Sequence, residues 1–288
     1  MPSRATALIV SLALLTSGCA RRGPAEPTGL PGEEPADGPD ELTLSYRPPA
    51  GARTTCPAVM ETLVASVGPD RPLEQTLGGE RVDLEEVTGV EGTVRAVKLT
   101  FGETLWTTSF PLPAPGVRDL PPAVLAGRIA ASGRLLDGTP DGSVTQTMAA
   151  WVRQFDATPG WPERPIRRGE TLPRPLRGPG PPGTGATLEA AAPLTLVGYA
   201  RLDGRLCAKF RGDIAGHLLY AAPGGNPGET ARSVLRGTSW LYFDVETGLR
   251  LGALHRLHYA LPLPGPKPGP VPEFHATFRS GPCSYTAL

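Results

Sequence analysis

The residues with the most definite chemistry stand at the start of the chain. Arg4 supplies a positive charge, Ala5 to Leu15 an uncharged apolar run, and Thr16-Ser17-Gly18-Cys19 a set of small residues leading into a thiol. A short apolar run ending in small residues is what an export signal peptidase cuts. A cysteine placed directly after that cut can accept a lipid on its sulfur. Residues 1–18 are therefore expected to be a lipoprotein signal peptide, with Cys19 lipidated. Thr16 stands where leucine is preferred, and Leu15 sits one place further back. An uncleaved membrane helix would need ~20 apolar residues, more than Ala5 to Ala20 supply before Arg21-Arg22 ends the run. An ordinary secretory signal with an incidental cysteine is the other rival. Acyl burial is worth ~0.8 kcal/mol per methylene, so one chain anchors marginally and a triacylated cysteine holds firmly. Ala20 follows the cysteine where an aspartate would retain the protein at the inner membrane of a two-membrane host. By resemblance to that sorting rule the cell outer membrane is favoured there. In a one-membrane host the rule is void.

Other candidate groups carry less. Cys56, Cys207 and Cys283 form no C-x-x-C pair, which leaves zinc-finger and thioredoxin-like chemistry without support. An oxidising compartment favours one disulfide among the three and one thiol left over. Spacing does not fix the pair, although prolines at strand margins favour Cys56 with Cys283. Cys207 shares a strand face with Arg205 and Lys209, opposite Leu206, Ala208 and Phe210, so it need not be buried. His255 and His258 would share a helix face but take opposite faces of a strand, and Leu254, Leu257 and Tyr259 around them read as strand. A metal site would need His217 or His275 brought in by folding. The expectation is partly exposed strand histidines, with no metal assigned. A G-x-S-x-G nucleophile elbow is absent from the sequence, and Glu85-Glu86 face opposite ways on a strand rather than pairing as acid and base. Asp213 and His217 lack a nucleophile beside them. Gly180 to Thr187 resembles a phosphate-binding loop, but Ala186 stands where lysine must meet the phosphates and no apolar strand precedes it. A proline-glycine loop is expected instead. The reading is therefore non-enzymatic, without a cofactor.

The elements that must position these groups are uneven along the chain. Thirty-six glycines and 35 prolines make up about a quarter of the residues, yet they cluster and leave apolar strands between them. Net charge is zero, from 28 basic and 28 acidic residues, so nucleic acid is a poor partner. Residues 19–41 hold almost no large apolar side chain after the cysteine and are expected to form a disordered Pro/Gly/acidic tether with a reach of ~25 Å. Residues 42–288 are expected to form a single β-rich domain. Strands are predicted over 54–67, 81–87, 93–101, 103–110, 128–136, 194–202, 205–211, 239–245, 249–261 and 274–279. Ser143 to Phe155, with Ser143 as N-cap, is the one helix candidate. Proline-rich breaks are expected at 111–122, 173–185 and 262–272. Asp203-Gly204 is a strong hairpin signal, and Glu246-Thr247-Gly248 is a second with glycine at the left-handed position. Strand after strand with tight turns implies a mainly β fold. The expectation is an antiparallel meander forming a curved sheet or open half-barrel with about one α-helix.

Three stretches carry a resemblance: Arg168-Gly169-Glu170-Thr171, then Asp203-Gly204-Arg205-Leu206-Cys207-Ala208-Lys209, then Tyr242-Phe243-Asp244-Val245-Glu246-Thr247-Gly248. Together they resemble a group of uncharacterised β-rich bacterial lipoproteins in which a "GdtW"-like turn precedes "vdGrrCaki" and "yFDpetG" hairpins. Leu172 replaces the usual tryptophan and Val245 the usual proline. The group implies no activity, and its shape is distantly similar to lipoprotein-carrier half-barrels that hold acyl chains. The expected role is a membrane-anchored lipoprotein binding a lipid or other hydrophobic ligand. Alternatives are an envelope protein–protein interaction module and, behind it, a cryptic hydrolase revealed by His255, His258 or His275 meeting an acid in a cleft.

Overall fold

The computed structural model describes residues 29–67, 72–109, 122–137, 154–155, 158, 160–181, 184–222, 229–261 and 271–287. Among them 66% lie in strands and about 1% in helix. The N-terminal strands are β1 (Glu34–Ala36), β2 (Glu41–Leu42), β3 (Arg53–Val67), β4 (Pro72–Glu91), β5 (Val94–Phe101), β6 (Leu105–Thr108), β7 (Ala123–Ile129) and β8 (Leu135–Asp137). Then come β9 (Ile166–Arg167), β10 (Thr171–Leu172), β11 (Pro175–Pro179), β12 (Thr187–Ala191) and β13 (Leu194–Leu202). The C-terminal set is β14 (Arg205–Ala221), β15 (Thr230–Asp244), β16 (Arg250–Ala260), β17 (Glu273–Ser280) and β18 (Ser284–Thr286).

One large antiparallel sheet results, in the order β1-β13-β14-β15-β16-β17-β3-β4-β5-β7-β8, and it does not close into a barrel. Most of the path is a meander set by tight turns. Asp203 and Gly204 both have positive φ, 49° and 75°, the backbone a two-residue turn needs between right-twisted strands. The β15–β16 turn depends on Gly248 twice: its φ is 69°, and a Cβ there would meet the Ser45 carbonyl oxygen at 2.3 Å. The long-range step is β17 lying against β3 from Glu273↔Ala65 to Ser280↔Ala58, which joins the two ends of the chain.

Residues directly opposite in register share a sheet face. One face carries Phe210, Leu241, Leu257 and Phe278, and it packs beneath Phe155, Trp161, Ile166 and Leu188. Trp161 lies 5.2 Å from Phe210 and 4.7 Å from Phe243, ring centre to ring centre, contacts worth ~1 kcal/mol each beyond area burial. This face is filled by the protein's own side chains.

The structure corrects several expectations. The boundary at residue 42 is wrong for 29–41. Leu30 is 5% exposed, and β1 pairs with β13 from Glu34↔Arg201 to Ala36↔Tyr199. The segment holds because Gly252 leaves room: a Cβ on Gly252 would meet Leu30 Cδ1 at 2.3 Å. Burying that leucine is worth ~2 kcal/mol. The span 128–136 is a hairpin, β7 turning back into β8 through Ala130 N–H to Arg134 O at 3.0 Å. The proline segment 173–185 contains β11. Its prolines are tolerated because β11 pairs with β12 alone and is an edge. Of the helix candidate Ser143–Phe155, residues 143–153 lie outside the described residues; Gln154 and Phe155 are helical, and Phe155 is fully buried.

Candidate functional site

Register lays out the opposite, outward sheet face residue by residue. One row across the strands is Arg211, Trp240, Leu254, Arg279, Val59, Glu80 and Leu105. The next is Asp213, Thr238, Arg256, Thr277, Glu61, Gly78 and Thr107. The third is Ala215, Arg236, His258, His275, Leu63 and Thr76. Small side chains in the middle row, Thr277, Gly78 and Thr107, leave a depression between larger neighbours.

Two clefts occupy it. The first, about 340 Å³, lies among Val59, Glu61, Leu254, Arg256 and Arg279, with Gly29, Leu30 and Pro31 as a wall. The second, about 440 Å³, runs over Glu61, Leu63, Thr76, Gly78, Thr107 and His275. Both are lined by Glu61 and Thr277, so they form one groove across β16, β17, β3 and β4. Arg279 and Glu61 make no ion pair among the described residues.

The wall is a docked N-terminal strap. Glu33 accepts hydrogen bonds from Lys209 Nζ and Tyr242 Oη, which are opposite one another in the β14–β15 register. Tyr242 is fully buried, and burial first, then the Glu33 carboxylate, pushes its phenol well above the usual range. The strap, its acid and the groove share one surface.

A third cleft of about 580 Å³ lies among Arg47, Arg205, Glu246, Thr247 and Tyr285. Its charged groups are already engaged. Arg205 holds Asp244 at 2.7 Å and Glu246 at 3.0 Å, and Arg47 Nε donates to Glu246 O at 2.7 Å. Asp244 accepts from Thr247 N at 3.0 Å and also from its hydroxyl. The hairpin motifs behind the lipoprotein resemblance therefore brace turns. Glu170 does the same, taking Arg164 at 2.6 Å and the Arg167 N–H at 3.0 Å, which holds its carboxyl down at about 2.

Cys19 lies outside the described residues. Cys56 and Cys283 are joined by a disulfide with Cα atoms 4.3 Å apart. Cys207 is free and fully buried, contrary to the expectation from its polar strand face. Leu202, Tyr242, Leu251 and Leu30 of the strap share one buried cluster with it. His255 is buried rather than partly exposed. Its Nδ1 lies 2.6 Å from Ser239 Oγ, which accepts from the buried Arg174 at 3.3 Å. His217 remains half-buried and away from the other histidines in register. His258 and His275 are brought together as direct partners across β16 and β17, with Glu273 beside them. Of the Gly180 to Thr187 stretch, Pro182 and Gly183 lie outside the described residues; the rest follows β11 and leads into β12, with Gly180 N–H donating to Ala186 O at 2.7 Å.

No family model and no curated protein matches the sequence. Among solved structures the chain is similar to DynF from the dynemicin biosynthesis pathway of Micromonospora chersina, at 10% identity over 88% of this chain and 91% of that one, with a TM-score of 0.26. At that score the likeness carries no argument.

Proposed function

We propose that this is an exported, lipid-anchored, non-enzymatic binding protein that takes a small polar ligand in the outward groove. The observation that carries the reading is the groove itself, an open cleft lined by Arg279 and, in the next row opposite Thr277, Glu61, two charges without an ion pair among the described residues. The filled aromatic face argues against an acyl chain as ligand, since Trp161, Phe210 and Phe243 already occupy it. Opposite charges one row apart suit a zwitterion or a carboxylate bearing hydrogen-bonding groups. The anchor rests on Cys19 and the residues before it.

Two measurements test the two halves. Radiolabelled palmitate should enter the wild-type chain and not Cys19→Ser; label in both, or in neither, defeats the anchor. Native mass spectrometry of protein released gently from membranes should show a small-molecule adduct that Arg279→Ala and Glu61→Gln each lose. A phospholipid adduct indifferent to both substitutions would restore the hydrophobic-ligand reading instead.

A second reading, an envelope interaction module, draws on Val82, Leu105 and Val124, which are 55%, 67% and 49% exposed on this same face. Stoichiometric recovery of a partner that Leu105→Ser abolishes would favour it.

A further inference from the structure

We propose that His258, His275 and Glu273 form a binding site for a divalent cation of the zinc and copper class. The site stands on its own residues and does not depend on what fills the groove.

The strands make the arrangement. His258 and His275 are directly opposite across the β16–β17 ladder. Their imidazoles stack with centres 4.4 Å apart and planes 11° from parallel. Glu273 is two residues before His275, hence on the same face, and its Oε2 is 3.5 Å from His258 Nε2. One ligand atom from each residue lies within 4.8 Å of the other two, and all three side chains are exposed. Two ligands on one tetrahedral zinc, each ~2.0–2.1 Å from the metal, lie about 3.3 Å apart. Closing the gap takes a rotation of one ring about χ2, a soft torsion for histidine. Leu257↔Ala276 and Ala260↔Glu273 continue the ladder on both sides, so the strands hold the three residues in fixed register.

Ligand chemistry selects the metal. Two imidazole nitrogens and one carboxylate oxygen suit zinc and copper, whereas calcium and magnesium take oxygen sets. A fourth position is left to water. Arg236 lies opposite His258 on β15 and adds an opposing positive charge. Its side chain is exposed, so it can extend into water, while the Glu273 carboxylate sits within the ligand set. His275 also lines the groove, so the ion would stand at its end.

The test uses tag-free protein, stripped of metal and titrated with zinc chloride by calorimetry, with calcium and magnesium chlorides as controls. One zinc per chain is expected, and no uptake of the other two. His258→Ala or His275→Ala should weaken zinc binding by more than the roughly 10–100-fold that loss of an outer partner costs. Glu273→Gln should weaken it less, and His217→Gln should leave it unchanged. Cobalt(II) should give visible absorption bands that vanish in the His258→Ala/His275→Ala double variant. These are surface positions, and circular dichroism verifies that each variant is folded. Zinc binding that survives the double variant, or no stoichiometric zinc binding by the folded wild type, overturns the proposal.

Discussion

Removing the Cys56–Cys283 bridge is the sharpest perturbation of the fold. The two cysteines are 227 residues apart, so the cross-link confines nearly the whole unfolded domain to a loop. The chain-entropy expression for a loop of that length gives about 5 kcal/mol at 25 °C, an upper figure because residual structure in the unfolded chain subtracts from it. The bridge also sits at the seam: β3 pairs with β17 and then with β18, and Cys283 lies between those two partners. In the Cys56→Ala/Cys283→Ala variant the seam's hydrogen bonds remain, and what is lost is the restraint on the open chain. Urea unfolding followed by far-UV circular dichroism should therefore show a loss of about 3–5 kcal/mol and a larger m value, because the unfolded state expands. For a domain of this size that corresponds to a fall in Tm of about 6–10 °C. Non-reducing peptide mapping of the wild type should find the two cysteines in one linked peptide. A variant less than about 1 kcal/mol weaker, with m unchanged, would refute the entropic account.

Two further perturbations address the buried strap end of β14. The Cys207 thiol is pushed up to about 12, first by burial and then by the Asp244 carboxylate, against the pull of Arg205. The folded state thus holds that proton more tightly than the unfolded state. The stability is intact below the ordinary value of 9.0 and is lost as pH rises towards about 12. Unfolding free energies from urea titrations between pH 9 and 10 should fall by up to about 1.4 kcal/mol per pH unit in the wild type and less in Cys207→Ala. Equal slopes would sink the assignment. Glu33→Gln removes the charge that Lys209 and Tyr242 share, and at 13% side-chain exposure the loss should be about 3 kcal/mol. Hydrogen exchange should rise first in residues 30–36, and unchanged protection there would show that Leu30 and the β1–β13 pairing hold the strap without this acid.

The fold class was legible because the hairpin turns announce themselves. Asp203-Gly204 and Gly248 are chemically suited to left-handed backbone, and the strand ends next to these turns were placed to within a few residues. The far ends of β14 and β15 were not. β14 runs on to Ala221 and β15 starts at Thr230, where Gly212, Gly216 and Gly237 hide the alternation. The strap was misread for a related reason. Residues 29–41 hold a single buried leucine in the main cluster, too weak a pattern to announce strand, and their place is decided by Gly252 and by Lys209, more than 170 residues away. Cys207 went the same way, since local alternation assigns a face but not what covers it. The groove and the His258–His275 pair are products of register between distant strands. Two histidines 17 residues apart give no local signal, and only the length of the 261–272 connection determines whether they meet or miss by one position and take opposite faces.

The docked strap changes what an anchor at Cys19 would do. A tether reaching to residue 41 would let the domain stand off the bilayer. With Leu30 buried and Glu33 paired, only nine residues lie between Cys19 and Gly29, a covalent reach of at most ~35 Å. Gly29 is itself part of the groove wall. The lipid would therefore pull on the rim of the binding surface, keeping that rim near the headgroups and the β5–β7–β8 edge of the sheet farther away. Orientation and ligand access then share one set of contacts, because undocking the strap both lengthens the leash and removes a wall of the groove. Glu33→Gln separates the two readings of that wall. If the groove needs it, ligand loss accompanies the rise in exchange across residues 30–36. If the strap serves the anchor alone, exchange rises and binding stays.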